Sequence, residues 1–177
     1  MVNKEVSYNL RYFLLIAFLF FTDLYSKNLA LQNLLYGQSE NTFLPIIDLL
    51  LIYNSGIAFG IFDNAGSGIS SILLVITMLI LIYLFWMIFN EKDIYIKTSL
   101  SIIAGGAIGN IFDRAMDGKV TDFLHLEIFN NSFFVFNLAD AFITIGAVLI
   151  IYFEIIKKLK NEKTNKTCKS KRLLCWG

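Results

Sequence analysis

Residues 133–156, FFVFNLADAFITIGAVLIIYFEII, form a run long enough to cross a membrane, yet Asn137 and Asp140 interrupt its first third. About 20 apolar residues span the hydrocarbon core of a bilayer. A charged side chain inside such a segment is costly, so it marks a candidate functional site. The stretch therefore predicts a membrane-spanning helix, beginning near residue 134, that carries a functional carboxylate close to its start.

The composition of the whole chain is typical of a membrane protein. Of its 177 residues, 56% are hydrophobic, whereas soluble domains average about 45–50% apolar. Four runs are apolar and long enough to span a bilayer, at about 12–31, 70–89, 96–113 and 134–156. The first has no small-x-small cleavage site, so we expect a permanent helix and not a removable signal. We predict an all-α membrane protein with four transmembrane helices and a small extracytoplasmic β platform.

The distribution of basic residues predicts the orientation. Of the 15 Lys and Arg residues, four lie before the first run or between the second and third, and eight follow Ile156. Basic segments stay on the cytoplasmic side. We therefore expect both termini to be cytoplasmic and the segments at about 32–69 and 114–133 to face outward. A single transmembrane domain would cover residues 1–160, and a basic tail, 161–177, would be disordered or rest on anionic lipid.

The two outward segments contain extended, β-prone runs. Residues 46–53 and 57–62 are predicted strands on either side of a turn at 54–56, and residues 119–136 repeat this pattern around a turn at 130–132. We expect these strands to form the platform on the outer membrane surface.

Polar residues on three of the predicted helices lie at a similar depth. With a rise of ~1.5 Å per residue, they lie about 18–25 Å from the cytoplasmic face. They occur in pairs spaced three or four residues apart, which places each pair on one helix face. The pairs are Asp23 with Lys27, Asn110 with Asp113, and Asn137 with Asp140. Such a gathering of costly groups indicates a common interior site.

Small residues allow the third helix to approach its neighbours closely. Residues 104–109 read AGGAIG, and small residues of this kind let transmembrane helices pack tightly. Close packing would bring Asn110 and Asp113 against the other polar faces.

Asp122 and Asp140 are singled out among the acidic residues near the membrane: Asp140 has no basic residue one helical turn away, and Asp122 lies in the apolar frame Val120-Thr121-Asp122-Phe123. Two carboxylates held close together can share a proton, so that one acts as general base and the other as general acid on a water molecule. The two remaining intramembrane aspartates neighbour Lys27 and Arg114, and they could equally form ion pairs that tie helices together.

No metal or organic cofactor is expected. Cys168 and Cys175 lie in the basic tail, on the reducing side of the membrane, so no disulfide is predicted. His125 is the only histidine, which argues against a zinc centre.

Five blocks of the sequence, in their order and spacing, resemble the bacterial lipoprotein signal peptidase (signal peptidase II) family. They are Asp23-x-x-x-Lys27, Asn54-Ser55-Gly56-Ile57-Ala58-Phe59-Gly60, Gly105-Gly106-Ala107-Ile108-Gly109-Asn110-Ile111-Phe112-Asp113-Arg114, Val120-Thr121-Asp122-Phe123 and Phe136-Asn137-Leu138-Ala139-Asp140. The resemblance covers about residues 10–156. The chain departs from the family at Leu24, where Gln is usual.

The resemblance implies an aspartyl endopeptidase of the bacterial inner membrane, with Asp122 and Asp140 as the catalytic pair and the active site near the outer face. It implies a prolipoprotein substrate, cut just before a cysteine that carries diacylglyceryl, with membrane lipid as a further partner. The other matched polar positions would bind substrate or shape the site: Asp23, Lys27, Asn54, Gly56, Asn110, Asp113, Arg114 and Asn137. Asn54 and Arg114 are the candidate donors to the substrate backbone. We expect a monomer that needs no cofactor and binds no nucleic acid.

Two other classes of function stay open on the residues alone. In a small transporter or channel subunit, Asp23, Asp113 and Asp140 would relay protons or cations. In a non-enzymatic scaffold, the glycines would simply pack helices together. Proteolysis requires Asp122 and Asp140, whereas a relay does not need Asp122 and a scaffold needs none of the aspartates. Which of Asp122 and Asp140 holds the resting proton is also left open.

Overall fold

Four long helices carry a small antiparallel sheet at the end where the first and third helices finish and the fourth begins. A computed structural model describes the backbone of residues 2–56, 67–128 and 131–174, and the side chains of 9–56, 70–128 and 131–160. The helices are α1 (Val2–Asn33), α2 (Ser67–Asn90), α3 (Ile94–Asp117) and α4 (Leu138–Leu174). The strands are β1 (Ser39–Glu40), β2 (Ile47–Asn54), β3 (Val120–Ile128) and β4 (Asn131–Phe136), in the spatial order β1-β2-β3-β4.

The described helices include four long and apolar enough to cross a membrane, which confirms the predicted transmembrane class. The candidate spans are Asn9–Asn33, Ser70–Asn90, Ile94–Asp117 and Leu138–Lys160. The predicted start of the fourth span, at residue 134, is wrong, because residues 134–136 belong to β4 and the helix begins at Leu138. Aromatic and β-branched residues favour a strand there, and Asn137 marks the change to helix.

The third helix is the centre of the bundle. In the most apolar part of each span, 56% of α3 is buried within the protein, against 22% for α1 and 11% for both α2 and α4. Most of the surface of α2 and α4 is therefore left for lipid, which suits their strongly apolar sequences. The lower hydropathy of α3 agrees with this position. Protein and not lipid surrounds most of the helix, so polar side chains on it can find partners.

The glycines of α3 permit this central position. A Cβ atom at Gly105 would lie 2.9 Å from the Cβ of Leu19 on α1, and one at Gly106 would collide with the backbone oxygen of Ala139 on α4. The predicted close approach of helices at residues 104–109 is confirmed.

Both ends of α3 are fixed by capping. Asp93 accepts a hydrogen bond from the backbone N–H of Tyr95 at 2.9 Å, as an N-cap residue does. At the other end, Gly118 adopts φ 69°, and its N–H donates to the carbonyl of Arg114 at 3.1 Å. This left-handed turn ends the helix, so that β3 starts at Val120 and brings Asp122 next to the end of α3.

The sheet confirms most of the predicted platform. The predicted strand 46–53 corresponds to β2, and residues 119–136 form β3 and β4, whereas the predicted strand 57–62 lies outside the described residues. The turn predicted at 130–132 is placed too late, because Asn131 and Ser132 already pair within β4.

The sheet is attached to the helices by apolar packing. Ala30 and Leu34 near the end of α1 form a buried cluster with Leu51 of β2 and Phe123 of β3. This cluster holds the two central strands against the bundle, and it fixes the position of Asp122, the neighbour of Phe123.

Within the predicted basic tail, 161–177, the backbone of α4 continues as a helix to Leu174. That this tail rests on anionic lipid stays a prediction. Residues 147–174 contain neither glycine nor proline, so nothing in this stretch interrupts a helix.

Candidate active site

A cavity of about 330 Å³ lies between the sheet and the helices α3 and α4. Its polar lining consists of Asn54, Asn110, Arg114, Asp122, Asp140 and Thr144, and its apolar lining of Val120, Phe134, Val135, Phe136 and Ile143. Both aspartates singled out in the sequence therefore face one cavity. Of the remaining predicted residues, Asp23, Lys27 and Asn137 are almost completely buried behind it.

Asn137 links the two aspartates. Its side-chain oxygen accepts from the N–H of Asp140 at 3.0 Å, and the Asp140 carboxylate accepts from the N–H of Asn137 at 3.3 Å. This reciprocal pair is a capping box at the start of α4, with Asp in place of the usual Glu. The side-chain NH₂ group of Asn137 donates to the Asp122 carboxyl group at 2.6 Å. The segment Asn137-Leu138-Ala139-Asp140 therefore starts the helix and holds both carboxyl groups.

Asp122 is a buried carboxyl group, with 1% of the residue exposed. One of its oxygens accepts from Asn137 and the other accepts from the Asn54 amide at 3.0 Å. The pKa of Asp122 is raised to about 7, mainly by burial and to a smaller extent by the negative charge of Asp140, against the opposing effect of the Asn54 and Asn137 hydrogen bonds. The Asp122 carboxyl can therefore carry a proton near neutral pH.

Asp140 lies where negative charge is stabilised. Its carboxylate accepts from the Asn110 amide at 2.7 Å and from the N–H of Asn137. It also lies in the first turn of α4, where the helix dipole favours an anion. Asn110 in turn accepts a hydrogen bond from Lys27 at 3.1 Å. The Asn110 side chain therefore lies between the positive charge of Lys27 and the Asp140 carboxylate.

Lys27 is the centre of a buried ion network. Its Nζ lies 2.7 Å from Asp23 and 3.0 Å from Asp113. The Asp23–Lys27 ion pair considered in the sequence analysis is confirmed. The second ion pair considered there, between Asp113 and Arg114, is not found among the described residues. Asp113 instead forms an ion pair with Lys27 on the neighbouring helix.

The two carboxylates of this network also hold the backbone around the cavity. Asp23 accepts from the N–H of Ala139 at 2.9 Å, at the start of α4. Asp113 accepts from the N–H of Thr121 at 3.0 Å, one residue before Asp122. The network thus fixes the two chain segments that carry the cavity aspartates.

Arg114 and Asn54 hold the chain at Gly56. Arg114 donates to the Gly56 carbonyl at 3.1 Å, and the Gly56 N–H donates to the Asn54 side chain at 3.0 Å. The Nε of Arg114 is buried and has no hydrogen-bond partner within the described part of the chain. Arg114 also lines the cavity.

The apolar wall of the cavity was not predicted as part of the site. Phe134, Val135 and Phe136 line it from β4, whereas in the sequence these residues were assigned both to the end of the extended pattern at 119–136 and to the start of the fourth helix. Their position directly before the Asn137 cap was the available signal, because a helix that begins at a cap leaves the preceding residues outside it. Leu24, the departure from the family pattern, is partly buried on α1 and does not line this cavity.

Comparisons with known proteins agree with this architecture. Residues 15–156 match the profile of the family described as signal peptidase (SPase) II. The chain is 39% identical over 139 residues to the lipoprotein signal peptidase of Wigglesworthia glossinidia brevipalpis, covering 78% of this chain and 90% of that protein. It is 34% identical over 165 residues to the lipoprotein signal peptidase of Neisseria meningitidis serogroup C (strain 053442), covering 92% of this chain and 100% of that protein.

A solved structure shares the fold. A bacterial membrane enzyme determined in meso at 2.3 Å resolution superposes with a TM-score of 0.74 at 29% identity, covering 85% of this chain and 90% of the other. The profile match extends from α1 into α4 and includes all five sequence blocks. The chain belongs to the signal peptidase II family.

Proposed function

We propose that this chain removes signal peptides from prolipoproteins, and that Asp122 and Asp140 activate the water that cuts the peptide bond. The observation that carries the proposal is that both carboxyl groups face one cavity and are both hydrogen-bonded to Asn137. Family membership supports the peptidase activity. The paired carboxyl groups supply the general acid and base that such a hydrolysis needs.

The environments of the two aspartates support different roles for them in this proposal. Asp140, with two N–H donors and the start of α4 beside it, is the ionised general base that takes a proton from water. Asp122, whose pKa is raised to about 7, is the general acid that protonates the carbonyl oxygen as water attacks the carbonyl carbon. When the tetrahedral intermediate collapses, Asp140 gives its proton to the leaving nitrogen and Asp122 recovers its own. Both groups return to their starting states without a covalent acyl-enzyme.

The surroundings of the cavity fit a lipid-linked substrate. The wall of β4 and Ile143 is apolar, and α4 exposes most of its surface to lipid. A diacylglyceryl group on the substrate cysteine can remain in the bilayer while the scissile bond enters the cavity. With cytoplasmic termini, as the basic residues predict, the sheet and the cavity lie at the outer face of the bacterial inner membrane. One chain supplies every residue of this mechanism, so a monomer is sufficient.

Arg114 is the principal candidate for binding the substrate backbone, because its side chain lines the cavity and a guanidinium has five N–H donors, one of which donates to the Gly56 carbonyl. Asn54 is a weaker donor than the sequence analysis expected, since its amide already donates to Asp122. We expect Arg114→Gln to raise KM for a lipidated peptide more than Asn54→Ala does. Equal KM values for both variants and the wild type would contradict this role for Arg114.

The other functional classes fit these contacts less well. A relay through Asp23 and Asp113 would need two titratable carboxylates, but both are ion-paired to Lys27. A scaffold would have no need of a cavity lined by two aspartates.

The substrate is tested with the full-length protein purified in detergent. A diacylglyceryl-modified prolipoprotein and its unmodified form are incubated with it, and mass spectrometry identifies the new N-terminus. We expect the lipidated cysteine as the new N-terminal residue, and little or no cleavage of the unmodified form. Equal cleavage of both forms would refute the lipid-linked substrate, and no cleavage of either would refute the peptidase function.

A further inference from the structure

A second cluster of functional side chains lies on the sheet, on strands β2 and β3. Asp48 of β2 is paired directly with His125 of β3, and Glu127 follows two residues later on the same face of β3. One ligand atom from each side chain lies within 4.8 Å of the other two. His125 is three residues from Asp122, so along this strand it points to the opposite face. The cluster is therefore separate from the cavity that holds the catalytic pair.

We propose that Asp48, His125 and Glu127 bind a divalent transition-metal ion of the Zn²⁺ type. An imidazole nitrogen and two carboxylate oxygens are ligands that Zn²⁺ accepts in proteins, with water completing the tetrahedron. The single histidine, which in sequence argued against a zinc centre, is joined here by two carboxylates that the strand register brings beside it.

The histidine is arranged as a ligand. Its Nε2 lies 2.7 Å from the hydroxyl of Ser132 on β4. With the Nε2 proton donated to this hydroxyl, Nδ1 carries the free lone pair. Nδ1 is buried and has no hydrogen-bond partner among the described residues. It lies 3.9 Å from the Glu127 carboxylate, too far for a hydrogen bond but on the side where a shared cation would sit. Metal-bound histidines commonly have their second ring nitrogen held in this way.

The carboxylates leave room for a cation. No lysine or arginine in the described parts of the chain forms an ion pair with Asp48 or Glu127. One Asp48 oxygen accepts from the N–H of Thr42 at 3.2 Å, and within the described residues the other oxygen accepts no hydrogen bond. Ligand atoms around Zn²⁺ lie about 3.3 Å apart, for bonds of about 2.0 Å. The Glu127 side chain is 32% exposed, so it can rotate to close this gap. A bound ion would fasten β2 to β3, the strand that carries Asp122.

The test is zinc binding by the full-length protein in detergent, measured by isothermal titration calorimetry with ZnCl₂. Cys168 and Cys175 are replaced by serine in every sample, so that tail thiols do not bind zinc. We expect one Zn²⁺ per chain and a rise in the unfolding temperature. His125→Gln and Glu127→Gln should each lower the affinity more than roughly 100-fold, and Ser132→Ala about 10–100-fold.

The matched control is Glu40→Gln, which removes an exposed carboxylate from strand β1 of the same sheet. It should leave zinc affinity unchanged. Prolipoprotein cleavage without added zinc reports whether each variant is folded, and this readout separates loss of the metal site from loss of the fold. The proposal is overturned if the cysteine-free protein binds no zinc, or if folded His125→Gln binds it with unchanged affinity. Either failure would leave the proposed peptidase function intact.

Discussion

Replacing Asn137 with alanine removes the residue that links the two aspartates. It deletes the side-chain cap of α4, which costs about 1 kcal/mol, and a hydrogen bond to the buried Asp122 carboxyl, worth about 1.5–3 kcal/mol. We therefore expect the free energy of unfolding to fall by roughly 3 kcal/mol. Because the Asn137 hydrogen bond lowers the pKa of Asp122, its loss raises that pKa above about 7. If Asp122 is the general acid, activity declines as pH rises through this pKa, and the alkaline limb of the pH–rate profile moves to higher pH.

The assay is single-turnover cleavage of a lipidated prolipoprotein across pH 5–9, together with thermal unfolding in the same detergent. Misplacement of both carboxyl groups should lower kcat by roughly 100-fold. The matched control is Asn90→Ala, because the Asn90 amide donates to the carbonyl of Trp86 within the exposed end of α2 and, among the described residues, to no other group. An Asn137→Ala protein with an unchanged rate and an unchanged alkaline limb would refute the linking role.

Three further substitutions test the energetics of the site. Through Asp122, the wild type should lose on the order of 4 kcal/mol of its free energy of unfolding as pH rises from about 4 to 7, because Asp122 ionises at a lower pH in the unfolded state than in the folded state. Asp122→Asn should flatten this slope. An equal slope in both proteins would contradict the raised pKa. Gly109→Ala places a Cβ atom on the Asp23 carboxylate and should lower the free energy of unfolding by about 1–3 kcal/mol, measured by chemical denaturation. The control is Ala115→Ser, at an exposed alanine of α3, which should change it much less. Lys27→Met leaves two buried carboxylates unpaired and should cost about 3–5 kcal/mol; an unchanged unfolding temperature would disprove the network.

The transmembrane architecture was predictable because its signals are local. Apolar length gives the spans, and a glycine-rich run marks the helix that other helices surround. Asp122 and Asp140 were also recognisable, since Asp140 has no cation one helical turn away and Asp122 lies in an apolar frame. The capping box at Asn137 and Asp140 was visible as a spacing of three, although the sequence analysis interpreted it only as a shared helix face.

The contacts between distant segments were not predictable. Asp113 was considered beside its sequence neighbour Arg114, but it pairs with Lys27 across the bundle. Residues 134–136 of β4 were assigned to both an extended segment and the start of a helix, because a short apolar run has the same appearance in either structure. The register that sets Asp48 opposite His125 depends on how β2 and β3 pair. None of these contacts leaves a periodic signal in the sequence.

The central claim is that Asp122 and Asp140 perform the chemistry together. The most direct measurement is cleavage of a diacylglyceryl-modified prolipoprotein by purified wild type, Asp122→Asn and Asp140→Asn, with folding verified by thermal unfolding. Asp93→Asn, at the other end of α3, is the matched control. We expect both cavity variants to fold and bind substrate without cleaving it, whereas Asp93→Asn should cleave normally. Cleavage by either folded cavity variant at the wild-type rate would remove that aspartate from the reaction and contradict the account.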